Sequence, residues 1–210
     1  MKTRLFITRH GAKKGVDDGT WTGALDVELS DAGYKEAEEL GNVLAESKLG
    51  FDVVVSSTMI RGQETANRIL AAFGYNIQFL KFSELREMSH GDVDGLTSQQ
   101  FYERYPEIEE AWKRDEDVRF PNGENFEDVE NRIMPVVYDI LKEFEGKNIL
   151  FVGHKSVNMT LIGKLLHVPL AHRYIPQQET CFLTLFEFKG RKTKLKFLNI
   201  EPRSLKSYKL

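Results

Sequence analysis

The amino-acid sequence predicts an α/β sandwich, and two observations support this fold class. Apolar runs of strand length, rich in β-branched and aromatic residues, alternate along the chain with stretches of helical spacing. The chain has 210 residues, of which 41% are hydrophobic, which is enough for one sizeable core but short for two independent domains. We therefore expect a single domain over residues 1–210.

The first half of the chain is predicted to contain three strands and two helices. In order, these are a strand ending at Arg9, a helix over 31–47, a strand beginning at Phe51, a helix over 58–73 and a strand over 76–80. Thr58 directly follows the second strand. It is the expected N-cap of the second helix, because its hydroxyl can accept hydrogen bonds from free backbone N–H groups.

The second half of the chain adds a helical insertion, a long helix and a closing hairpin. Residues 97–115 predict one or two helices, opened by the capping box Thr97-Ser98-Gln99-Gln100 and interrupted at Pro106. We expect these helices to form a cap over the site. The remaining elements are a helix over 125–144, a strand over 148–153, a helix over 156–166, and two strands over 182–188 and 193–200 that form a hairpin about Gly190.

The triplet Arg9-His10-Gly11 lies where the first strand ends. In open α/β sheets, ligands bind beyond the carboxyl ends of the strands, so His10 is expected on a rigid edge that faces a cleft. A histidine in such a place can act as a nucleophile. The triplet alone is equally compatible with polar residues that merely open a loop.

Three further polar residues are candidates for the same cleft. Arg61 is expected in the first turn of a helix that begins at a strand end, where free N–H groups and a planar guanidinium suit phosphate oxygens. His154 directly follows the strand over 148–153, and Glu87 lies in a loop that contains two glycines. Taken singly, they are also compatible with a surface arginine, a structural histidine and a solvated glutamate. Their joint placement favours one site.

Short motifs follow one another along most of the chain. They are Arg9-His10-Gly11, Leu29-Ser30-Asp31-Ala32-Gly33, Ser56-Ser57 through Arg61-Gly62-Gln63-Glu64-Thr65-Ala66, Glu87 through Gly91 with Asp94-Gly95-Leu96-Thr97, Pro121-Asn122-Gly123-Glu124, and Val152-Gly153-His154. In order and spacing they resemble the motifs of the histidine phosphatase superfamily, also called phosphoglycerate mutase-like. The resemblance implies a three-layer α/β/α sandwich with a mostly parallel central sheet and a helical cap over the C-terminal strand ends. The cap is expected as an insertion at about residues 88–124 of the same domain.

The resemblance also implies a role for each residue of the site. His10 is the implied nucleophile, Glu87 the general acid and base, and Arg9, Arg61 and His154 the groups that bind the transferred phosphoryl group. Phosphoryl transfer leaves the protein mainly with positioning and charge stabilisation, so a ring of fixed donors is expected. His154 is expected to be cationic, or at least a hydrogen-bond donor.

These roles have consequences for chemistry. Because Glu87 must protonate the leaving group and later deprotonate water, an acidic to neutral pH optimum is expected. Loss of one donor, as in Arg61→Ala, is expected to cost about two to three orders of magnitude in turnover, unlike loss of a surface arginine such as Arg191. No metal or cofactor is expected, since the cluster lacks the grouped carboxylates of a magnesium or two-metal phosphatase.

The implied substrate-binding residues surround the phosphoryl site and extend into the following loop. They are Arg9, Gly11, Lys13, Thr22, Gly23, Arg61 and His154. The chain departs from the family here, with Ala12-Lys13-Lys14-Gly15-Val16 in place of the usual Glu or Gln after the triplet, and with Lys155 in place of the usual glycine after the second histidine. The two lysines of the loop either attract a second acidic group on the substrate or belong to a solvated loop.

The resemblance favours a metal-independent phosphomonoester hydrolase that acts through a phosphohistidine on a small phosphorylated metabolite. The region after the acid loop is compact, whereas the resembling mutases carry a longer insertion that shields the phosphohistidine. A cofactor-dependent phosphoglycerate mutase is the alternative, because Trp21-Thr22-Gly23 resembles the substrate loop of mutases. A catalytically silent protein that binds a phosphorylated ligand, or serves as a scaffold, is a third interpretation, against which the complete site argues.

Composition excludes several other classes of protein. The net charge of -3 gives no nucleic-acid-binding footprint. No secretory signal or membrane span is expected, because no apolar stretch precedes the first strand and no apolar run approaches the length of a span. The cytoplasm is the expected location, and a homodimer is compatible with the sequence. The single cysteine, Cys181, lies in an apolar run and is expected to be a buried structural thiol.

Overall fold

A computed structural model of the chain describes residues 1–15, 19–190 and 192–208. Val16 of the predicted substrate loop and Arg191, expected as a surface arginine, lie outside the described residues.

A six-stranded mixed sheet forms the centre of the protein, with the strand order β3-β2-β4-β1-β5-β6. The strands are β1 (Thr3–Arg9), β2 (Val53–Ser57), β3 (Gln78–Phe82), β4 (Asn148–Gly153), β5 (Leu183–Lys189) and β6 (Lys192–Ile200). The first four strands run parallel to one another, β5 pairs antiparallel with β1, and β6 pairs antiparallel with β5 at the edge of the sheet. The carboxyl ends of β1, β2 and β4, which are neighbours in the sheet, therefore meet at one edge.

Helices cover both faces of the sheet. They are α1 (Asp31–Glu46), α2 (Ile60–Ala71), α3 (Ser98–Arg104), α4 (Pro106–Lys113), α5 (Phe126–Glu143) and α6 (Lys155–Leu165). On one face of the sheet, Ile149 and Phe151 of β4 belong to an apolar cluster with residues of α5 and α6. On the other face, Leu150 and Val152 belong to a cluster with residues of α1 and α2. Burial on both faces explains why the central strands are continuous apolar runs. The predicted three-layer α/β/α sandwich is confirmed.

The predicted elements occur in the predicted order, with boundaries that agree within two residues. One detail is wrong. Thr58 is not the N-cap of α2, because the helix begins at Ile60 and Met59 occupies the cap position without a side-chain cap. The carboxylate of Asp26 instead accepts a hydrogen bond from the amide of Ile60, at 2.8 Å. The cap comes from a loop that is distant in sequence, which local spacing cannot indicate.

The cap is built from α3 and α4 and the turn that follows them. The predicted capping box is present: the Thr97 hydroxyl accepts from the amide of Gln100 at 3.2 Å, and the Gln100 side chain accepts from the amide of Thr97 at 2.9 Å. Pro106 opens α4 at a position that needs no N–H donor. Phe101 of α3 is fully buried in the same apolar cluster as the sheet, so the cap is packed firmly onto the domain. Cys181 is buried as expected, with 2% of its surface exposed.

Candidate active site

The five predicted site residues converge at the carboxyl ends of the strands. Arg9 is the last residue of β1 and His10 follows it, while Arg61 lies in the first turn of α2, just after β2. His154 links β4 to α6, and Glu87 lies in the loop that follows β3. Each of these residues lies at this edge because it follows, or ends, one of the parallel strands.

His10 is held in one tautomer by its neighbour. It is 2% exposed, and its Nδ1 lies 2.7 Å from the carbonyl oxygen of Gly11, which can only accept a hydrogen bond. The ring proton is therefore on Nδ1, and Nε2 carries a free lone pair. Burial, followed by the charges of Arg9 and Arg61, holds the pKa of His10 well below its usual range. The imidazole is neutral at neutral pH and can attack an electrophile.

His154 is oriented by Ser57, which the sequence motifs did not single out for this purpose. The Ser57 Oγ lies 2.7 Å from Nε2 of His154 and also accepts from the amide of Met59 at 3.1 Å. The described residues offer the hydroxyl proton no other acceptor, so it is donated to Nε2. The ring proton of His154 then lies on Nδ1, a buried atom with no hydrogen-bond partner in the described part of the protein.

The expectation of a cationic His154 is not supported. Burial, with smaller contributions from His10 and Arg61, lowers the pKa of His154 well below its usual value. The ring centroids of His10 and His154 are 5.1 Å apart, so two imidazolium charges would repel each other strongly. The second form of the expectation agrees with the structure, because neutral His154 presents Nδ1–H as a donor.

The two guanidinium groups are anchored by backbone carbonyl groups and form no ion pair in the described residues. Arg61 is 1% exposed and donates to the carbonyl oxygens of Leu25 and Gly23, at 2.7 and 2.9 Å. Arg9 donates to the carbonyl oxygen of Gln178 at 3.2 Å. In both side chains Nε is buried and has no partner among the described residues. Two fixed cations without a neutralising carboxylate are suited to binding an anion such as a phosphoryl group.

The side chain of Glu87, in the loop after β3, contacts the start of α6. Glu87 is 9% exposed, and its carboxylate accepts from the amides of Met88 and Ser156, at 2.9 and 3.1 Å. Arg132 fixes the surrounding loop: it donates to both carboxylate oxygens of Glu124, at 2.7 and 3.0 Å, and to the carbonyl oxygen of Glu87, at 3.2 Å. This contact was also missed by sequence reasoning, because Arg132 lies on α5, outside the motifs.

The predicted substrate-binding residues divide into two groups. Lys13, Thr22 and Gly23 line the cavity, and the Lys13 ammonium contacts the Thr22 hydroxyl. Gly11 serves as a support, since its amide donates to the hydroxyl of Thr65 at 3.0 Å and its carbonyl group holds His10. Lys14 points away into solvent, where it pairs with an exposed glutamate.

A cavity of about 710 Å³ lies beside His10 and is also lined by Arg9, Arg61 and Glu87. Its outer wall is rich in aromatic side chains, namely Trp21, Trp112, Phe120, Phe126 and Tyr174. The Trp21 and Trp112 rings are nearly parallel, at an interplanar angle of 23°. These aromatic side chains add apolar surface to a cavity that also contains the charged groups of Arg9, Arg61 and Glu87.

Comparison with known families settles the ancestry of the site. The model of the histidine phosphatase superfamily (branch 1) matches residues 5–201. The chain belongs to this superfamily. It is therefore a phosphoryl-transfer enzyme by family, as the sequence motifs indicated.

Relatives in the superfamily carry two kinds of name. A 2,3-bisphosphoglycerate-dependent phosphoglycerate mutase of Rhizobium etli is 30% identical over 161 residues, covering 75% of this chain and 77% of that protein. Among solved structures, the α-ribazole phosphatase from Shigella flexneri has a TM-score of 0.82 at 26% identity and covers 93% of this chain and 96% of that one. A mycobacterial glucosyl-3-phosphoglycerate phosphatase in complex with VO3 has a TM-score of 0.81 at 27% identity and covers 94% and 99%.

Two further properties of this superfamily member concern metals and membranes. Within residues 1–15, 19–190 and 192–208, no three His, Cys, Asp or Glu side chains group closely enough to hold a metal ion. None of the helices in these ranges has the length and apolar character needed to cross a bilayer.

Proposed function

We propose that the protein is a metal-independent phosphomonoesterase that hydrolyses a small phosphorylated metabolite through a phosphohistidine. The observation that carries this proposal is the hydrogen bond from Nδ1 of His10 to the Gly11 carbonyl oxygen, which leaves Nε2 unprotonated beneath a large cavity. A buried neutral imidazole between two unpaired guanidinium groups is suited to in-line attack on phosphorus.

In the first step, Nε2 of His10 attacks phosphorus and the bond from phosphorus to the leaving oxygen breaks. The electron pair of that bond stays with the leaving oxygen, which takes a proton from Glu87. Arg9, Arg61 and His154 donate hydrogen bonds to the equatorial oxygens, where negative charge develops. These donors are already fixed by the protein, so little reorganisation accompanies the reaction.

In the second step, water replaces the released alcohol. The Glu87 carboxylate takes a proton from this water as its oxygen attacks phosphorus, and the bond from phosphorus to Nε2 breaks. The electron pair returns to His10, which is again neutral, and inorganic phosphate leaves. Glu87 ends the cycle protonated, ready for the next substrate.

The size and lining of the cavity support hydrolysis over mutase activity. A volume of about 710 Å³ is within the range of sites that hold ligands of drug size, and it greatly exceeds the volume of a three-carbon phosphoglycerate. A mutase must keep water from its phosphohistidine until a second hydroxyl arrives. A small substrate in this cavity leaves room for water beside the phosphohistidine.

Mutase activity is the second candidate, favoured by the relatives and by one loop. The curated relatives at about 30% identity are named phosphoglycerate mutases. Thr22 and Gly23, which belong to the segment that resembles the mutase substrate loop, line the cavity. A catalytically silent ligand-binding protein or scaffold is disfavoured, because every group required by the mechanism above is present.

The test is release of inorganic phosphate from p-nitrophenyl phosphate at mildly acidic pH with excess EDTA. We expect turnover by the wild type and its loss in His10→Ala. A parallel assay follows the interconversion of 3- and 2-phosphoglycerate in the presence of 2,3-bisphosphoglycerate. Interconversion that is faster than phosphate release would make the protein a mutase. Binding of phosphate without turnover in either assay would favour the silent ligand-binding protein.

A further inference from the structure

Lys155 places a cation in the wall of the cavity. It is the first residue of α6, it is exposed to the cavity, and it lines the same wall as Arg9 and Glu87. Met159, one turn further along α6, also lines the cavity, so this face of the helix faces the cavity.

The ammonium of Lys155 forms no ion pair with a carboxylate in the described residues. Lys113 is the matched contrast, because it lines the same cavity but pairs with Glu109 at 3.2 Å and Glu110 at 2.8 Å. Lys155 is thus an unneutralised charge in the wall of a substrate cavity.

The position is electrostatically unfavourable for a cation. The N-terminal end of a helix carries partial positive charge, and lysine there is repelled by it. Partial burial and the neighbouring Arg9 lower the pKa of the Lys155 ammonium, although Glu87 and Glu179 act in the opposite direction. A bound anion would offset this cost.

The transferred phosphoryl group already has its own donors. Nε of Arg9, Nε of Arg61 and Nδ1 of His154 are buried, unpartnered within the described residues and gathered around His10. Lys155 differs from them in being exposed, and together with Met159 it lines the cavity. Its charge is therefore available to a different group of the same molecule.

We propose that Lys155 binds a second acidic group, carried by the leaving group of the substrate. The substrate class is then a phosphomonoester whose alcohol also bears a carboxylate or another phosphate. This inference rests on the proposed hydrolase function and deepens it, because it assigns Lys155 as the residue that selects among phosphomonoesters.

The experiment compares substrates that differ only in the second acidic group. One pair is 3-phosphoglycerate and glycerol 3-phosphate, which tests a carboxylate. The other is fructose 1,6-bisphosphate and fructose 6-phosphate, which tests a phosphate. We expect Lys155→Met to lower kcat/KM about 10- to 100-fold for the acidic member of at least one pair, mainly through KM, because a charged hydrogen bond is lost. The pair that responds identifies the acidic group.

For the member of each pair that lacks the second acidic group, kcat/KM should change less than about twofold. Lys155→Arg should restore the preference for the acidic member by restoring the charge. Lys113→Met is the matched control, since it removes a paired lysine from the same cavity and should leave both ratios unchanged. An equal loss of kcat/KM on both members of a pair would place Lys155 at the transferred phosphoryl group and overturn the proposal. Unchanged kcat/KM on both members would also overturn it.

Failure of this inference is distinguishable from failure of the hydrolase proposal. If wild type hydrolyses p-nitrophenyl phosphate but shows no Lys155-dependent preference, the function stands and the inference falls. Calorimetric binding of the same substrate pairs to His10→Ala and to His10→Ala/Lys155→Met measures the preference without turnover. Equal affinities of the two variants for the acidic members would also overturn it.

Discussion

The hydroxyl of Ser57 donates to Nε2 of His154 across 2.7 Å, and this contact decides where the second histidine carries its proton. Because both residues are completely buried, no water competes for the bond. The proton on Nδ1 is what makes His154 a donor without requiring a charge. The hydrogen bond thus connects Ser57, at the end of β2, with His154, which directly precedes α6.

Ser57→Ala should remove this control of the His154 tautomer. We expect kcat to fall about 10-fold or more, because part of the population then presents a bare Nδ1 to the phosphoryl oxygens. Steady-state kinetics on p-nitrophenyl phosphate measures the loss. Ser56→Ala is the matched control: Ser56 is equally buried but donates to the Val152 carbonyl oxygen at 2.9 Å, and the variant should retain wild-type kcat. Equal losses in the two variants would indicate a general packing defect.

Arg132→Gln should loosen the loop that carries Glu87 and impair proton donation. Alkyl phosphates leave as strongly basic alkoxides and need the proton, whereas p-nitrophenolate leaves readily without it. We therefore expect a fall of about 10-fold in kcat on an alkyl phosphate and a smaller fall on p-nitrophenyl phosphate. Arg119→Gln, which removes a surface arginine paired with Asp128, should affect neither. A loss independent of the leaving group would argue against this positioning role.

Activity and stability should respond to pH through the buried histidines. The pKa of His10 lies well below 6.5 in the folded protein, so the nucleophile stays neutral when an ordinary histidine would be protonated. In that window the unfolded chain binds more protons than the folded one, so the free energy of unfolding falls as pH drops below about 6.5. Melting temperatures across the acidic range should show this slope. It should be shallower in His10→Ala than in the wild type.

Gly163→Ala should destabilise the protein by about 1 to 3 kcal/mol. A Cβ at this position would lie 2.4 Å from Cδ of Arg173, whose buried guanidinium pairs with Glu130 at 2.7 Å. Displacing it strains that ion pair, and the segment that continues to Tyr174 forms part of the cavity wall. Thermal unfolding measures the effect. Gly74→Ala is the control, because no atom lies within 4 Å of its added Cβ.

Sequence patterns predicted the central strands well because both of their faces are buried. Apolar continuity in β1 and β4 is a local property, and the residues that follow these strands are then placed by the geometry of a parallel sheet. The positions of His10 and His154 were predictable for this reason. Their protonation was not, because it depends on contacts such as Ser57 with His154, in which the two partners are distant in sequence.

Contacts between residues distant in sequence also explain two other features that the sequence did not predict. The cap of α2 is supplied by Asp26, and the support of the Glu87 loop by Arg132 on α5. Both are long-range side-chain contacts with backbone groups, and neither produces a periodic or adjacent pattern in the chain. Sequence reasoning therefore placed the candidate site residues at one edge of the sheet but did not find the residues that orient them.

The division of the cavity between strand ends and cap suggests how this enzyme can diverge. The five candidate site residues come from dispersed positions at the sheet edge, whereas much of the cavity wall comes from one continuous stretch between Ser98 and Phe126. Replacing that stretch with the equivalent segment of a relative would change the part of the substrate preference that the cap determines and would leave the preference assigned to Lys155 on α6 in place. The cap can thus be exchanged in evolution without altering the five residues at the sheet edge.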